Sequence, residues 1–316
     1  MEETVVYKAT GETRGHYLLD REGFLGALFL LPAVVYIVAL VGVPFFLAIA
    51  FSLSDVTVGD TSLDFVGLEN FRTVIKTPQF RRALLNTFLF TLISQVIIMV
   101  LATALAQVLA KDFRGKWLAR MLIMLPWATP IALGTIGWKW LLDSKFSPFD
   151  WILVNVGLLG PGTLLGPGDH MTFLGREWLT MASIILIYVW RMLPLATVIL
   201  MAALSSIDQD ILDQAEVDGA RYWRILFQIK LPLILPIMSI ALLFSLISTF
   251  GDMVVVYVLT RGGPVYYTQV LAVWAYFKGI DGGSLGEGAA IALFLFPILL
   301  AAAILILRSV RRMEVI

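Results

Sequence analysis

Along the chain, apolar and polar positions sort into six long apolar segments separated by polar ones. Phe24 to Phe51 and Ala83 to Ala110 contain no charge, and Met121 to Trp138 is uncharged between Arg120 and Lys139. Trp178 to Leu204 holds one charge, Arg191; Leu231 to Thr260 holds one, Asp252; Gly288 to Leu307 holds none. A hydrocarbon core about 30 Å thick is crossed by about 20 apolar residues in helix, because only a helix or a closed barrel satisfies its own backbone there. Each segment is therefore predicted to cross a membrane, which makes the fold class an all-α integral membrane protein with six transmembrane helices. The first segment is too long for a signal-peptide core and no small-residue cleavage site closes it, so it is read as retained.

Basic residues collect on the cytoplasmic side of short loops. With the N-terminus inside, the inner segments hold Lys8, Arg14, Arg21, Lys111, Arg114, Lys116, Arg120, Arg221, Arg224, Lys230, Arg308, Arg311 and Arg312. The outer ones hold only Arg72, Lys76, Arg81, Arg82, Lys145, Arg176, Arg261 and Lys278. The tight Lys111 to Arg120 cluster decides for both termini cytoplasmic. The outer loops 52–82, 143–177 and 261–287 lack the alternation or the length of a separate domain. The organisation expected is a cytoplasmic tail, 1–23, and one membrane domain, 24–316, with no soluble appendage.

Composition agrees and narrows the function classes. The chain is 59% hydrophobic and 15% charged, against roughly 45–50% and 25% for soluble domains. Its formal net charge is zero, which gives no basic excess for nucleic acid. It has no cysteine, hence no disulfide, thiolate or Cys-ligated zinc. No phosphate-loop motif is present, since Gly115-Lys116 is followed by Trp117 and no Gly stands five positions before Gly115. The two histidines, His16 and His170, are far apart and outside the spans, so no catalytic cluster and no metal site is visible. An ion-coupled carrier would hold several intramembrane carboxylates, whereas only Asp252 lies in a span; an ATP-independent secondary transporter or channel protomer is the alternative to the reading below.

The loop 205–231 departs from the rest. Asp208, Asp210, Asp213, Glu216 and Asp218 alternate with Ile211, Leu212 and Ala215 at helical spacing, and Gly219 offers a helix end or tight turn. Beyond it Tyr222, Ile225, Leu226 and Ile229 form an apolar stripe beside Arg221, Arg224 and Gln228. Pro232 and Pro236 fall near the start of the fifth span, where a missing backbone donor and a kink are tolerated. Two short helices hinged at Gly219 are expected on the cytoplasmic face. An interfacial anchoring helix has the same pattern, but five acids beside an anionic membrane surface suit a protein partner bearing arginines better.

These residues resemble a family. "DQAEVDGARYWRILFQIKLPLILP", Asp213 to Pro236, is similar to the cytoplasmic EAA loop of binding-protein-dependent ABC importer permeases, E-A-A-x-x-x-G-A followed by an aromatic-rich stretch and I-x-L-P-x-x-x-P. Asp213 stands at the Glu position and Gln214 at the first Ala, while Ala215, Gly219, Ala220, Ile229, Leu231, Pro232 and Pro236 match. "VWRMLPLATVILMAALSSID" resembles the fourth span of the carbohydrate-type permeases, and "FVGLENF" the segment before their second span. "FGDMVVVYVLTRGGPVYYTQVL" resembles their T-x-G-G-P-x-x-x-T segment, with Thr260, Gly262, Gly263, Pro264 and Thr268.

The resemblance implies the type I ABC importer permease fold and a sugar or sugar derivative as cargo, in the maltose and glycerol-phosphate branch. It implies that Asp213, Ala215, Glu216, Asp218, Gly219, Ala220 and Arg221 couple the chain to a cytoplasmic ATPase. The chain would supply half of the pathway, beside a second homologous permease subunit, two copies of the ATPase and an extracytoplasmic sugar-binding protein, in a bacterial or archaeal plasma (inner) membrane among its lipids. ATP and Mg would be used by the partner ATPase, with no cofactor on this chain. Arg191 and Asp252, costly inside spans, are expected to pair, to line the sugar route, or to satisfy backbone groups. Trp190, Tyr257 and Tyr188 are candidates to stack on sugar faces or to pack, and Gly262 and Gly263 are expected to permit a turn.

Overall fold

The protein is described by a computed structural model covering residues 22–168 and 170–313. Most of the tail expected over 1–23, with Lys8, Arg14, His16 and Arg21, lies outside the described residues. The chain divides into two units, one up to Ala50 and one from Phe51 onward.

The first unit is one apolar helical run, α1 (Glu22–Ile37), a π-turn (Val38–Gly42) and α2 (Val43–Ser52), whose last residues open the second unit. Its apolar part, Leu25–Ser52, is 28 residues, long enough at 1.5 Å per residue to cross a bilayer. The π-turn precedes Pro44. The Val43 amide bonds back five residues to the Val38 carbonyl, and Pro44 has no amide to give.

The second unit begins with a feature the pattern did not predict, a two-stranded hairpin of β1 (Ser54–Thr57) and β2 (Asp60–Phe65). Asn70 on α3 (Glu69–Lys76) holds its base by donating to the Ser52 and Ser54 carbonyls at 3.0 and 2.9 Å. The core follows, with α4 (Pro78–Ala110) packed along α8 (Glu177–Ser205). On α4 the buried positions Ala83, Thr87, Phe90, Ser94, Ile98, Ala102 and Ala106 recur every three or four residues. The alanines let the backbones approach, which favours helix association where hydrophobic driving force is absent.

The third span is not a single helix. α5 (Lys116–Ala128) and α6 (Ile131–Leu141) meet at 95°. Pro130 forces Thr129 out of the helical region, to φ −74° and ψ 131°, so the segment read as one span over Met121–Trp138 is broken. Arg120 on α5 donates to the Leu109 carbonyl at 2.6 and 3.2 Å, closing the end of α4. α7 (Pro148–Asn155), opened by the Ser147 side chain, occupies part of the segment 143–177 that was expected to be a loop.

After α8 come α9 (Gln209–Val217), α10 (Tyr222–Ile225), a π-turn (Leu226–Lys230) and α11 (Leu231–Phe250). The fifth span also breaks: α11 stops at Phe250 and α12 (Val254–Thr260) restarts beyond Gly251. α13 (Leu271–Tyr276), a third π-turn (Phe277–Asp281) and α14 (Leu285–Leu293) make a helical hairpin, and α15 (Leu295–Met313) continues from it. Among the described residues five helices are long and apolar enough to cross a membrane, six if the α5–α6 pair counts as one span.

Candidate functional site

The polar loop builds a rigid projection. Asp208 opens α9, its carboxylate accepting from the Asp210 amide at 3.1 Å. The helix closes with Gly219 at φ +78°. The Gly219 amide donates to the Glu216 carbonyl at 3.0 Å and the Ala220 amide to the Ala215 carbonyl at 2.9 Å. This is the two-bond Schellman closure, which wants glycine at the left-handed position and a small apolar contact across it. Ala215, Gly219 and Ala220 thus have a structural reason for their spacing: Ala215 is buried, Gly219 turns and Ala220 bonds back.

The acidic residues divide between two faces. Asp210, Asp213, Gln214, Val217 and Asp218 line a shallow, exposed concavity, and Gln209 donates to Asp213 at 2.9 Å. Glu216 turns instead to a crevice against the end of α4, shared with Gln107, Lys111 and Lys230. Tyr222 bridges that crevice, its hydroxyl donating to the Gln107 side chain at 2.8 Å. In the neighbouring loop, the hydrogen bond from Lys116 holds the Asp112 carboxyl below the usual carboxylate range.

Beyond Gly219 the expected second short helix is not separate. Tyr222 to Phe250 is one helical run of 29 residues, so the projection sits directly on the end of the fifth span. The physical reason lies at Pro232. A proline inside a helix cannot donate and its ring crowds the carbonyl four residues back; here the π-turn widens the helix, and the Leu231 amide bonds to the Leu226 carbonyl instead. Pro236 then sits inside α11 without ending it.

At the other end of α11 the structure brings Arg191 and Asp252 together, Nη1 to Oδ2 at 3.4 Å. Asp252 lies in the break between α11 and α12, where its other oxygen accepts from the Val255 amide at 3.1 Å. The break thus receives a carboxylate at the positive end of α12 and an arginine from α8. Arg191 keeps an Nε without a protein partner.

The T-x-G-G-P-x-x-x-T segment is a clasped turn. Gly262 stands at φ +83°, and a Cβ there would come within 3.0 Å of the Gln269 side chain. Thr268 donates to the Gly263 carbonyl at 2.6 Å, and the Gly262 amide donates to the Thr260 hydroxyl at 3.1 Å. The two hydroxyls lie 3.1 Å apart. The threonines therefore pin a loop whose Gly263-Pro264 peptide is cis.

Residues 98–315 match the family described as the inner membrane component of binding-protein-dependent transport systems. The chain belongs to this family. It is 30% identical to a probable ABC transporter permease protein of Brucella suis, over 78% of this chain and 82% of the relative. It is 27% identical to the trehalose/maltose transport system permease MalF of Thermococcus litoralis, over 91% and 94%. It is 28% identical to the diacetylchitobiose uptake system permease DasB of Streptomyces coelicolor, over 96% and 92%. The fold is that of a chain in a bacterial alginate ABC transporter crystallised with its periplasmic protein, at a TM-score of 0.75 and 20% identity, covering 92% and 94%.

This inner membrane component is a transport subunit of an ABC importer and not an enzyme; the ATPase is a separate subunit, and the system works with a substrate-binding protein. Its aromatic candidates are packed. Trp190 meets the Trp138 ring edge-on at 5.5 Å, Tyr188 is buried against Phe90 at 5.1 Å, and Tyr257 lies against Tyr276 and Phe277 at 5.3 and 5.7 Å. The sequence reading missed the uncharged polar face of α4. Gln95 donates to Thr249 at 2.7 Å, Asn86 to the Tyr267 and Gln269 carbonyls at 2.7 and 3.0 Å, and Thr87 receives the Leu271 amide at 2.9 Å. The signal was there as Thr87, Thr91 and Gln95 at intervals of four, but a search for charges passes over it.

Proposed function

We propose that this chain forms half of the pathway of an ATP-driven importer for a carbohydrate, a mono-, di- or oligosaccharide or a sugar derivative. Its termini are cytoplasmic and its loop 205–231 docks on the ATPase. The observation that carries the coupling is mechanical: a capped acidic helix, turned at Gly219, is mounted on the end of a helix running unbroken to Phe250. Movement of the docked helix is then transmitted along α11 to the Arg191–Asp252 break, about 30 residues away or roughly 45 Å of helix. Asp213 and Asp218 offer charge to an arginine-bearing cleft, Ala215, Gly219, Ala220 and Arg221 hold the shape, and Glu216 braces it against α4.

The carbohydrate assignment is supported by relatives named for trehalose/maltose and diacetylchitobiose. Arg191, Asp252, Trp190 and Tyr257 are assigned to the sugar route, and Pro232, Pro236, Gly262, Gly263 and Pro264 to its framework. The full assembly holds a second homologous permease, two ATPase copies that use ATP and Mg, and an extracytoplasmic sugar-binding protein, in a bacterial or archaeal inner membrane. Asp213→Lys and Gly219→Pro are expected to leave the complex in the membrane while abolishing binding-protein-stimulated ATP hydrolysis and uptake. Normal stimulation in both variants rules the docking role out.

A further inference from the structure

A pocket of about 520 Å3 lies between the start of α4 and the clasped turn after α12, and neither Arg191 nor Asp252 lines it. Its wall includes Arg261, Tyr266, Gln269, Trp274, Phe277 and Lys278, with no carboxylate among the lining residues. The volume falls within the range of small-molecule sites, about 300–1,000 Å3.

Two features make it electropositive. Arg261 pairs with no carboxylate among the described residues, whereas Lys278 is held by Glu287 at 2.8 Å. Thr77 and Gln79, at the start of α4, also line the pocket. The Thr77 hydroxyl donates back to the Thr73 carbonyl at 2.9 Å and leaves this helix start without a side-chain cap. A helix start carries partial positive charge, although here Pro78 has no amide and the Phe80 amide is donated to the Thr77 carbonyl at 3.0 Å.

Two further features call for a polyhydroxylated ligand. Gln269 is 2% exposed, and its side-chain carbonyl has no protein partner, which is costly for a buried acceptor unless a donor arrives. Tyr266 presents an exposed ring of the kind that covers the apolar face of a sugar. Arg261 and Tyr266 stand at φ +52° and +64°, a region that costs a non-glycine residue about 1 kcal/mol or more and persists where its surroundings impose it. The threonine clasp imposes it here, on two residues that face the same pocket.

We propose that this pocket binds an anionic saccharide, with the Arg261 guanidinium taking a carboxylate, Gln269 accepting from a ring hydroxyl and Tyr266 covering the ring. The proposal rests on the carbohydrate reading and narrows it to sugar acids. Glucuronate and glucose are the test pair, since they differ at one carbon, a carboxylate against a hydroxymethyl group. Equilibrium dialysis is run on the complex purified from its membrane into lipid nanodiscs. Glucuronate is expected to bind about tenfold more tightly than glucose, as one charge-assisted bidentate contact allows. Arg261→Asn removes the charge while asparagine tolerates the left-handed backbone; it is expected to erase the preference. Tyr266→Asn is expected to weaken both sugars alike. Equal binding of the two sugars, binding of neither, or a preference that survives Arg261→Asn overturns the proposal. The same nanodiscs assayed for ATP hydrolysis, with and without Asp213→Lys, test the transporter reading separately.

Discussion

At the scale of the residue, the least replaceable contact inside the helical bundle is Arg191 with Asp252. The Asp252 side chain is 7% exposed and that of Arg191 28%, so neither charge is well hydrated and each depends on the other. Removing one member of a buried pair leaves an uncompensated charge and costs about 3–5 kcal/mol, whereas replacing both is often near neutral. Arg191→Met is therefore expected to lower thermal stability in detergent sharply, and Arg191→Met with Asp252→Asn to restore most of the loss. The double-mutant cycle reads the coupling directly. Transport is expected to stay impaired in the double variant, which separates the pathway role from the structural one.

At the scale of the element, close approach of backbones sets what each helix tolerates. Where α14 crosses the π-turn Phe277–Asp281, a Cβ at Gly288 would sit 2.5 Å from the Gly279 Cα, and no rotamer relieves a clash with backbone. Gly288→Ala is expected to destabilise the α13–α14 hairpin by about 1–3 kcal/mol, seen as faster proteolysis of the 261–293 region. Gly137, inside α6 with no atom within 4 Å of its would-be Cβ, is the control. There Gly137→Ala is expected to be neutral or to stabilise by about 0.5–1 kcal/mol, because alanine is the better helix former. Gly137 lies inside an apolar stretch and Gly288 opens one, and neither pattern shows the crossing partner that distinguishes them.

At the scale of the whole molecule, orientation is the property that every functional assignment uses. The chain has no cysteine, so a single introduced thiol reports its side without background. Val217 is 89% exposed on α9 and Val58 is 64% exposed at the hairpin tip. Val217→Cys is expected to react with an impermeant maleimide only in inside-out vesicles, and Val58→Cys only in right-side-out ones. Val58 also donates its amide to the Gly283 carbonyl at 2.8 Å, which ties the hairpin to the turn before α14 and so to the same side as the clasped loop.

The solvent and the helical architecture follow from the amino-acid pattern alone, since nearly uncharged runs of about 20 residues are accommodated across a bilayer as helices. That pattern also located the turn in loop 205–231, because Asp208, Ala215, Gly219 and Ala220 act through local backbone bonds whose partners lie a few residues away. Where the spans break is set by packing between helices. Met121 to Trp138 and Leu231 to Thr260 read as continuous because hydropathy averages over Pro130 and Gly251, and a break stands only if neighbouring helices satisfy the freed backbone. The same packing decided that Arg191 faces Asp252, 61 residues away, and that Gln95 reaches Thr249, 154 residues away. Such pairs follow from how helices pack, which no local pattern encodes.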